Sequence, residues 1–329
     1  MRNTLKAALL VSSALIATPV LAQQQPTPPE HYTLDAQGVD LVQGTFNYSA
    51  VDVAIGPAGD GGIVHGRVWA NGGWRDTLAG TIAVSGSTYV VSFGGVSEVF
   101  VKSGSTFTPA SNNGSTLTQS GTSLTLTASD GTQALYSTVY SGSTSAYQAN
   151  GAALMAVYRP NGERLEYFWD GITYCSVREP TPDPDDEGEC LVWANAVRLE
   201  GVRNNRGYQI NFKYASDEIP LNAIELRAGW LKRVGAIGIN LAIDYCSPYD
   251  NTCTGTRNWP QIAYAAGPFG GQITSATDQS GRTTTYSYSS GQLSGIRLPG
   301  STSDDVSVSY TSGKASQVIS ASGTWNYAY

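Results

Sequence analysis

The chain has 329 residues, of which 41% are hydrophobic and only 14% are charged, and its net charge at pH 7 is −7. An average soluble domain carries about 25% charged residues, so the polar surface here must come mainly from uncharged side chains. The hydrophobic content excludes a disordered chain, and an acidic chain without a Lys/Arg stripe is not expected to bind nucleic acid.

The first 22 residues have the pattern of a cleaved secretory signal. Arg2 and Lys6 form a short positive segment, a mostly apolar run covers 7–20, and Ala22 precedes Gln23. The run is too short for a good membrane span, and no second apolar run of sufficient length follows. We therefore expect a secreted, periplasmic or cell-surface protein whose mature chain has no membrane span and a net charge of −9.

Three stretches follow the signal. Residues 23–37 form a Gln- and Pro-rich leader that we expect to be flexible. Residues 38–150 form an N-terminal β region, and residues 151–329 form a region of repeats. Short alternating segments near Gly, Ser or Asn predict antiparallel hairpins. We expect an all-β fold in which β-hairpin repeats form an extended curved sheet. Only 220–237 permits a helix, of no more than a turn or two.

One pattern recurs in the second half of the chain: a glycine, four residues, an aromatic residue, one residue and a second aromatic residue. Glycine supplies the positive φ of a turn that starts a strand, and positions +5 and +7 then project from one face of that strand. Both rings are therefore expected to pack into one buried stripe. The three full copies are Gly162 with Tyr167 and Trp169, Gly207 with Phe212 and Tyr214, and Gly281 with Tyr286 and Tyr288.

The unit over 273–299 resembles a repeat of the RHS/YD-repeat family. Asp278, Gly281 and Arg282 match the family's Asp-x-x-Gly-Arg turn, with a strand ending in Tyr288 after it. Weaker likeness lies in 202–214, in 158–165 and in the opening stretch over 38–57. The sequence departs from the family in lacking Tyr-Asp in its repeat units and the Asp-Pro-x-Gly motif of toxin-bearing members. The resemblance implies part of a hollow shell of hairpins.

From this resemblance we expect a secreted, non-enzymatic scaffold that mediates contact or encloses a partner. The partner is unknown, and further RHS repeats or a glycan are the candidates. The segment 323–329 resembles the start of a repeat strand, with Trp325, Tyr327 and Tyr329 on one face. A strand ending there would leave an open edge, so the array is expected to be incomplete.

Four cysteines in an exported chain predict disulfides. Of the three possible pairings the simplest joins sequence neighbours, Cys175 to Cys190 and Cys246 to Cys253, because each pair flanks a polar loop containing proline. A zinc site is the alternative, but neither pair has the two-residue gap of a zinc knuckle and no histidine is near in sequence.

No residue is assigned a catalytic, metal-binding or cofactor-binding role. His31 lies in the leader and His65 in a Gly-rich stretch, and nothing around either histidine supports a Ser-His-Asp triad. The acidic residues of 183–189 have no EF-hand spacing, so a solvated hairpin tip is the simpler interpretation. A glycan-binding adhesin module is the alternative function, since seven tryptophans are available to stack on sugars: Trp69, Trp74, Trp169, Trp193, Trp230, Trp259 and Trp325.

Overall fold

A computed structural model describes residues 34–57, 61–70, 72–138, 151–180, 188–250, 257–266 and 272–329. These residues form an almost entirely antiparallel β structure, as the alternating sequence predicts. None of the helices among them is long and apolar enough to cross a membrane. The signal segment 1–22, His31, Cys253 and positions 183–187 of the acidic loop lie outside the described residues.

The first three strands form a small antiparallel sheet, the inner sheet. In its first strand the regular pairing with the neighbouring strand is interrupted by a bulge at Asp52, between Val51 and Val53. The second strand places Ile63, His65, Arg67 and Trp69 on one buried face. The three strands are β1 (Tyr48–Ile55), β2 (Ile63–Ala70) and β3 (Gly73–Asp76).

All later strands belong to a second, much larger antiparallel sheet, the wall. Its first half is a run of short hairpins that returns on itself, because β11 pairs with β4 as well as with its sequence neighbours. These strands are β4 (Thr81–Ser85), β5 (Thr88–Phe93), β6 (Val96–Ser103), β7 (Thr106–Pro109), β8 (Thr116–Ser120), β9 (Ser123–Thr127), β10 (Gln133–Ser137) and β11 (Gly151–Tyr158).

The second half of the wall is a meander in which each strand pairs with the next. A short helix, α1 (Ala223–Glu225), continues as a π-helical turn over Leu226–Trp230. The strands are β12 (Arg164–Arg178), β13 (Cys190–Asn204), β14 (Tyr208–Tyr214), β15 (Arg233–Asn240), β16 (Gln261–Ala266), β17 (Ile273–Asp278), β18 (Thr283–Ser289), β19 (Gln292–Arg297), β20 (Val306–Thr311), β21 (Lys314–Ser320) and β22 (Gly323–Asn326).

The hydrophobic core lies between the inner sheet and the wall. Trp69 and Trp74 pack against Tyr288 and Tyr286 of β18, at ring distances of 5.5 and 5.0 Å. On another side, a Cβ added to Gly238 of β15 would lie 3.0 Å from side-chain atoms of β1, so glycine permits this close approach. Contacts to strands far apart in the wall indicate that the wall curves around the inner sheet.

Two local predictions can be compared directly with the structure. The disulfide between Cys175 and Cys190 is present and joins the long strands β12 and β13. Cys246 is buried and also disulfide-bonded. The helix within 220–237 is confined to the two short turns named above, and β15 occupies the remainder.

The final strand pairs with its hairpin partner, and residues next to it in the last hairpin contact the start of the described chain. β22 pairs with β21 from Gln317 to Ser320. The hydroxyl of Tyr327 donates to Asp35 at 2.5 Å. The amide of Ala315 donates to the carbonyl of Gly44 at 2.8 Å. The stretch 34–47 therefore packs beside the last hairpin of the wall.

Candidate functional site

The repeat residues predicted from the sequence lie at equivalent places in three hairpins. Gly162, Gly207 and Gly281 have φ values of 83°, 86° and 77° and occupy the turns before β12, β14 and β18. The aromatic side chains at +5 and +7 face the core. All are buried except Tyr288, which is half-buried: Tyr167, Trp169, Phe212, Tyr214, Tyr286 and Tyr288.

In two of these turns a side chain also accepts hydrogen bonds from backbone amides of the turn. The side chain of Asp278 accepts hydrogen bonds from the amides of Ser280 and Arg282. Asn204 does the same for the amides of Arg206 and Tyr208. A short polar side chain three residues before the glycine therefore holds the turn closed.

The second aromatic residue of each copy makes the same hydrogen bond to the preceding strand. Trp169 donates to the carbonyl of Leu154 at 2.7 Å, Tyr214 to that of Leu199 at 2.6 Å, and Tyr288 to that of Ile273 at 2.6 Å. In each hairpin the backbone ladder covers three residue pairs beside the turn. Beyond it, the aromatic donor satisfies a carbonyl on the preceding strand, which would otherwise be costly to bury.

A cluster of buried and partly buried polar side chains lies where the inner sheet meets the wall. We call it the polar interface, and it comprises Asp52, His65, Arg67, Asp76, Arg233 and Tyr264. Arg67 of β2 donates to both carboxylate oxygens of Asp52, at 2.5 and 2.9 Å. Tyr264 of β16 donates to Asp52 at 2.7 Å. The side chains of Arg67 and Asp52 are 5% and 3% exposed, so this ion pair is almost fully removed from water.

The second half of the polar interface surrounds Asp76. Arg233 of β15 forms an ion pair with Asp76 and also donates to the Tyr214 hydroxyl at 3.4 Å. His65 is fully buried, with Nε2 3.0 Å from the Tyr264 hydroxyl. Its Nδ1 lies 3.4 Å from a carboxylate oxygen of Asp76 without meeting the geometry of a hydrogen bond.

Burial and pairing shift the ionisation of these groups. Burial alone would raise the pKa of Asp76, but attraction to His65 and Arg233 and the hydrogen bond from the Leu78 amide hold that pKa well below its usual range. Burial would likewise lower the pKa of Arg67, but the hydrogen bond and attraction to Asp52 raise it. Burial raises the pKa of Tyr264 and raises that of Tyr48 to about 12. Asp76 and Arg67 are therefore held in their charged forms and Tyr264 in its neutral form.

This arrangement is suited to joining two sheets. Arg67 also lies 4.6 Å from the ring centre of Trp74 and 4.7 Å from that of Tyr264, so its charge is paired and its faces are covered. Among the described residues, no group of three or more His, Cys, Asp or Glu side chains is placed to hold a metal ion.

Sequence reasoning treated His65 as an isolated histidine and did not identify Asp52, Arg67, Asp76 or Arg233. One local signal was available. His65 and Arg67 alternate with Ile63 and Trp69 on the apolar face of one strand, which places two polar side chains in the core. Their partners in β15 and β16 lie far away in the chain, so spacing could not reveal them.

The tryptophans divide into buried and exposed positions. Trp69, Trp169 and Trp230 are buried, and Trp74, Trp259 and Trp325 are half-buried. Trp193 on β13 is 65% exposed. Among the seven, Trp193 therefore has the exposure that stacking on a sugar requires.

No family model matches the chain, and no curated protein matches it in sequence. Among solved structures, it is similar to a crystal structure of TcdB2-TccC3-TEV, with 13% identity, a TM-score of 0.42, and coverage of 91% of this chain and 17% of that chain. It is also similar to TcdB2-TccC3 (14% identity, TM-score 0.39) and to a Photorhabdus luminescens Tc holotoxin pore (12% identity, TM-score 0.37), each over 81% of this chain and 16% of that chain. The chain thus spans about a sixth of the length of these structures, and the low scores identify neither a family nor an activity.

Proposed function

We propose that this protein is an exported, non-catalytic scaffold of the RHS type, in which a curved wall of hairpin repeats encloses a polypeptide segment. The observation that carries the proposal is the inner sheet itself. Three strands from the start of the described chain lie against the inner face of the wall. They are joined to it by the Arg233–Asp76 ion pair and by the hydrogen bonds from Tyr264 to Asp52 and from Arg67 to Tyr286. The wall is a shell segment with its enclosed chain in place.

Three further observations support this role. The turn at Asp278 with Gly281 and Arg282 has the residues of an RHS unit, and its geometry is shared by the turn at Asn204. The Cys175–Cys190 disulfide is typical of exported proteins. The Asp76 carboxyl, whose pKa its neighbours hold well below the usual range, is poorly suited to act as a general acid or base, which needs a pKa near the working pH.

The test uses the purified mature chain. A scaffold is expected to give no turnover on a panel of polysaccharides, and brief digestion with subtilisin is expected to leave β1–β3 uncut and bound to the wall. Turnover that disappears on Asp76→Asn would overturn the non-catalytic assignment. Early cleavage within β1–β3 would overturn the enclosure.

A glycan-binding module is the second candidate, favoured by the exposed Trp193 beside the disulfide. A glycan array separates the two functions. Binding that is lost in Trp193→Ala and retained in Trp325→Ala would support the adhesin. No response on the array would favour the scaffold alone.

A further inference from the structure

The first strand of the inner sheet has one paired edge and one open edge. The strand order of this sheet is β1–β2–β3, so β1 lies at its margin. Within the described part of the chain, β1 pairs with β2 from Tyr48 to Ile55 and with no other strand. An open edge presents a row of backbone N–H and C=O groups that can pair with a further strand.

The pairing identifies which backbone groups of β1 lie on the open edge. In β2, the Gly66 amide donates to the Thr77 hydroxyl and the Gly66 carbonyl accepts from the Thr77 amide, so both point away from β1. Gly66 is opposite Val51, so the amide and carbonyl of Val51 point to the open edge. Because the pattern alternates, those of Ser49 point the same way. Among the described residues, none of these four groups has a hydrogen-bond partner.

The open edge of β1 borders a cavity of about 550 Å³, which we call the edge groove. It lies between residues 48–52 of β1 and the wall strands β16–β18. Its volume is within the range of ligand-binding cavities. A strand rises about 3.3 Å per residue, so the groove follows the edge for about 13 Å. That length matches about five residues of an extended chain.

The charged side chains of the edge groove are already paired. Asp52 forms an ion pair with Arg67, and Asp278 forms one with Arg282. A charged group added to the groove would therefore lie there without a partner, which is costly when it is removed from water. The other polar lining side chains are uncharged and suit an uncharged occupant: Tyr48, Ser49, Gln261, Gln279, Thr284 and Tyr286.

We propose that the edge groove binds an uncharged, extended segment of another polypeptide, which adds to β1 as a fourth strand of the inner sheet. In strand addition, backbone hydrogen bonds along a free edge provide the affinity. The groove is continuous with the polar interface, because Asp52 belongs to both and Tyr286 lines the groove while contacting Arg67. The proposal rests on the enclosed inner sheet of the proposed function and adds a partner to it.

The experiment measures calorimetric heat on the full mature chain with three blocked pentapeptides. The first is acetyl-Thr-Val-Thr-Val-Thr-amide, and saturable binding with a dissociation constant below about 1 mM is expected. The second has the same side chains but N-methylated amides, which cannot donate to the edge. The third, acetyl-Thr-Glu-Thr-Glu-Thr-amide, brings unpaired charges into the groove. Each of these two should bind at least tenfold more weakly. No saturable heat with the first peptide, or equal binding by either other peptide, would overturn the proposal.

A proline variant tests whether the strand edge makes the contact. Val51→Pro removes an amide that points to the open edge and keeps the β1–β2 ladder, because an edge strand tolerates proline where its N–H faces outward. It should weaken binding of the first peptide at least tenfold. Ala54→Pro is the matched control: Ala54 is opposite Val64, two residues before Gly66, so its amide also points outward, but it lies outside the groove. Equal binding by the two variants would overturn the proposal.

A second variant changes the wall side of the groove and leaves β1 unaltered. Thr284→Phe fills the groove from β18 and should weaken peptide binding at least tenfold, whereas Thr118→Phe, at an exposed position outside the lining, should bind as the parent does. Equal binding by these two variants would overturn the site. Absence of peptide binding by a chain whose β1–β3 resist subtilisin would overturn this proposal alone, whereas early cleavage there would overturn the enclosure as well.

Discussion

The polar interface and the C-terminal hairpins of the wall are held together in opposite ways. In the hairpins from β17 to β21, a turn side chain such as Asp278 and an aromatic donor such as Tyr288 act within 15 residues of their partners. In the polar interface, Arg67 and Tyr286 are separated by 219 residues, and Asp52 and Tyr264 by 212. The hairpins are thus specified locally, whereas the enclosure of the inner sheet depends on contacts between its buried polar side chains and wall residues far away in the chain.

The largest effect is expected from breaking the buried ion pair. Arg67→Met leaves the Asp52 carboxylate buried with only Tyr264 to satisfy it, which should lower the free energy of unfolding by about 3–5 kcal/mol. The control is Arg282→Met, which breaks an ion pair with Asp278 whose arginine is 71% exposed and should cost about 1 kcal/mol or less. Denaturant unfolding compares the two, and equal losses would contradict the comparison.

Tyr286 of β18 lies in a wall hairpin and contacts Arg67 of the polar interface, so replacing it sharpens the distinction. Tyr286→Ala removes a buried ring that packs on Trp74 and should cost about 3 kcal/mol. Tyr286→Phe removes only the hydroxyl that accepts from Arg67 at 3.3 Å and should cost about 1 kcal/mol. A loss below about 0.5 kcal/mol for the alanine variant would show that the ring does not pack in the core.

A smaller effect is expected from the local donors of the hairpins. Tyr310 donates to the carbonyl of Leu293 at 2.6 Å, in the same manner as Tyr288 in the preceding hairpin. Tyr310→Phe should cost about 1 kcal/mol, because the carbonyl loses its donor. Tyr329→Phe changes a tyrosine that is 52% exposed and serves as the control. Equal melting temperatures for the two variants would contradict a structural role for the Tyr310 hydroxyl.

Alkaline pH should weaken the protein through its buried tyrosines. Burial raises the pKa of Tyr48 to about 12 from an ordinary value of 10.0, so the unfolded chain loses its proton first as the pH rises. This contribution to stability is complete below pH 10 and is lost as the pH rises towards 12. Melting temperatures between pH 8 and 11 check the sign, and Tyr48→Phe should flatten the profile. A profile unchanged by Tyr48→Phe would contradict the assignment.

The same comparison explains what the sequence could predict. The strand alternation, the glycine turns at 162, 207 and 281 and the Cys175–Cys190 pair depend on residues near one another in the chain, and local rules describe them. The polar interface could not be predicted because its contacts to the wall join residues 157 to 219 positions apart. A single strand with His65 and Arg67 on its apolar face does not reveal those partners. The enclosure of the inner sheet could therefore be recognised only from the structure.

Hydrogen exchange on the mature chain tests most directly whether the inner sheet and the wall form one unit. Amides of β2 paired within the inner sheet should exchange as slowly as those of β14 and β18, because opening the inner sheet would expose the Arg67–Asp52 pair and the core around Trp69. Arg67→Met should accelerate exchange in β1–β3 more than in β20 and β21. Exchange in β1–β3 that is orders of magnitude faster than in β14 and β18 of the unaltered chain would contradict the account.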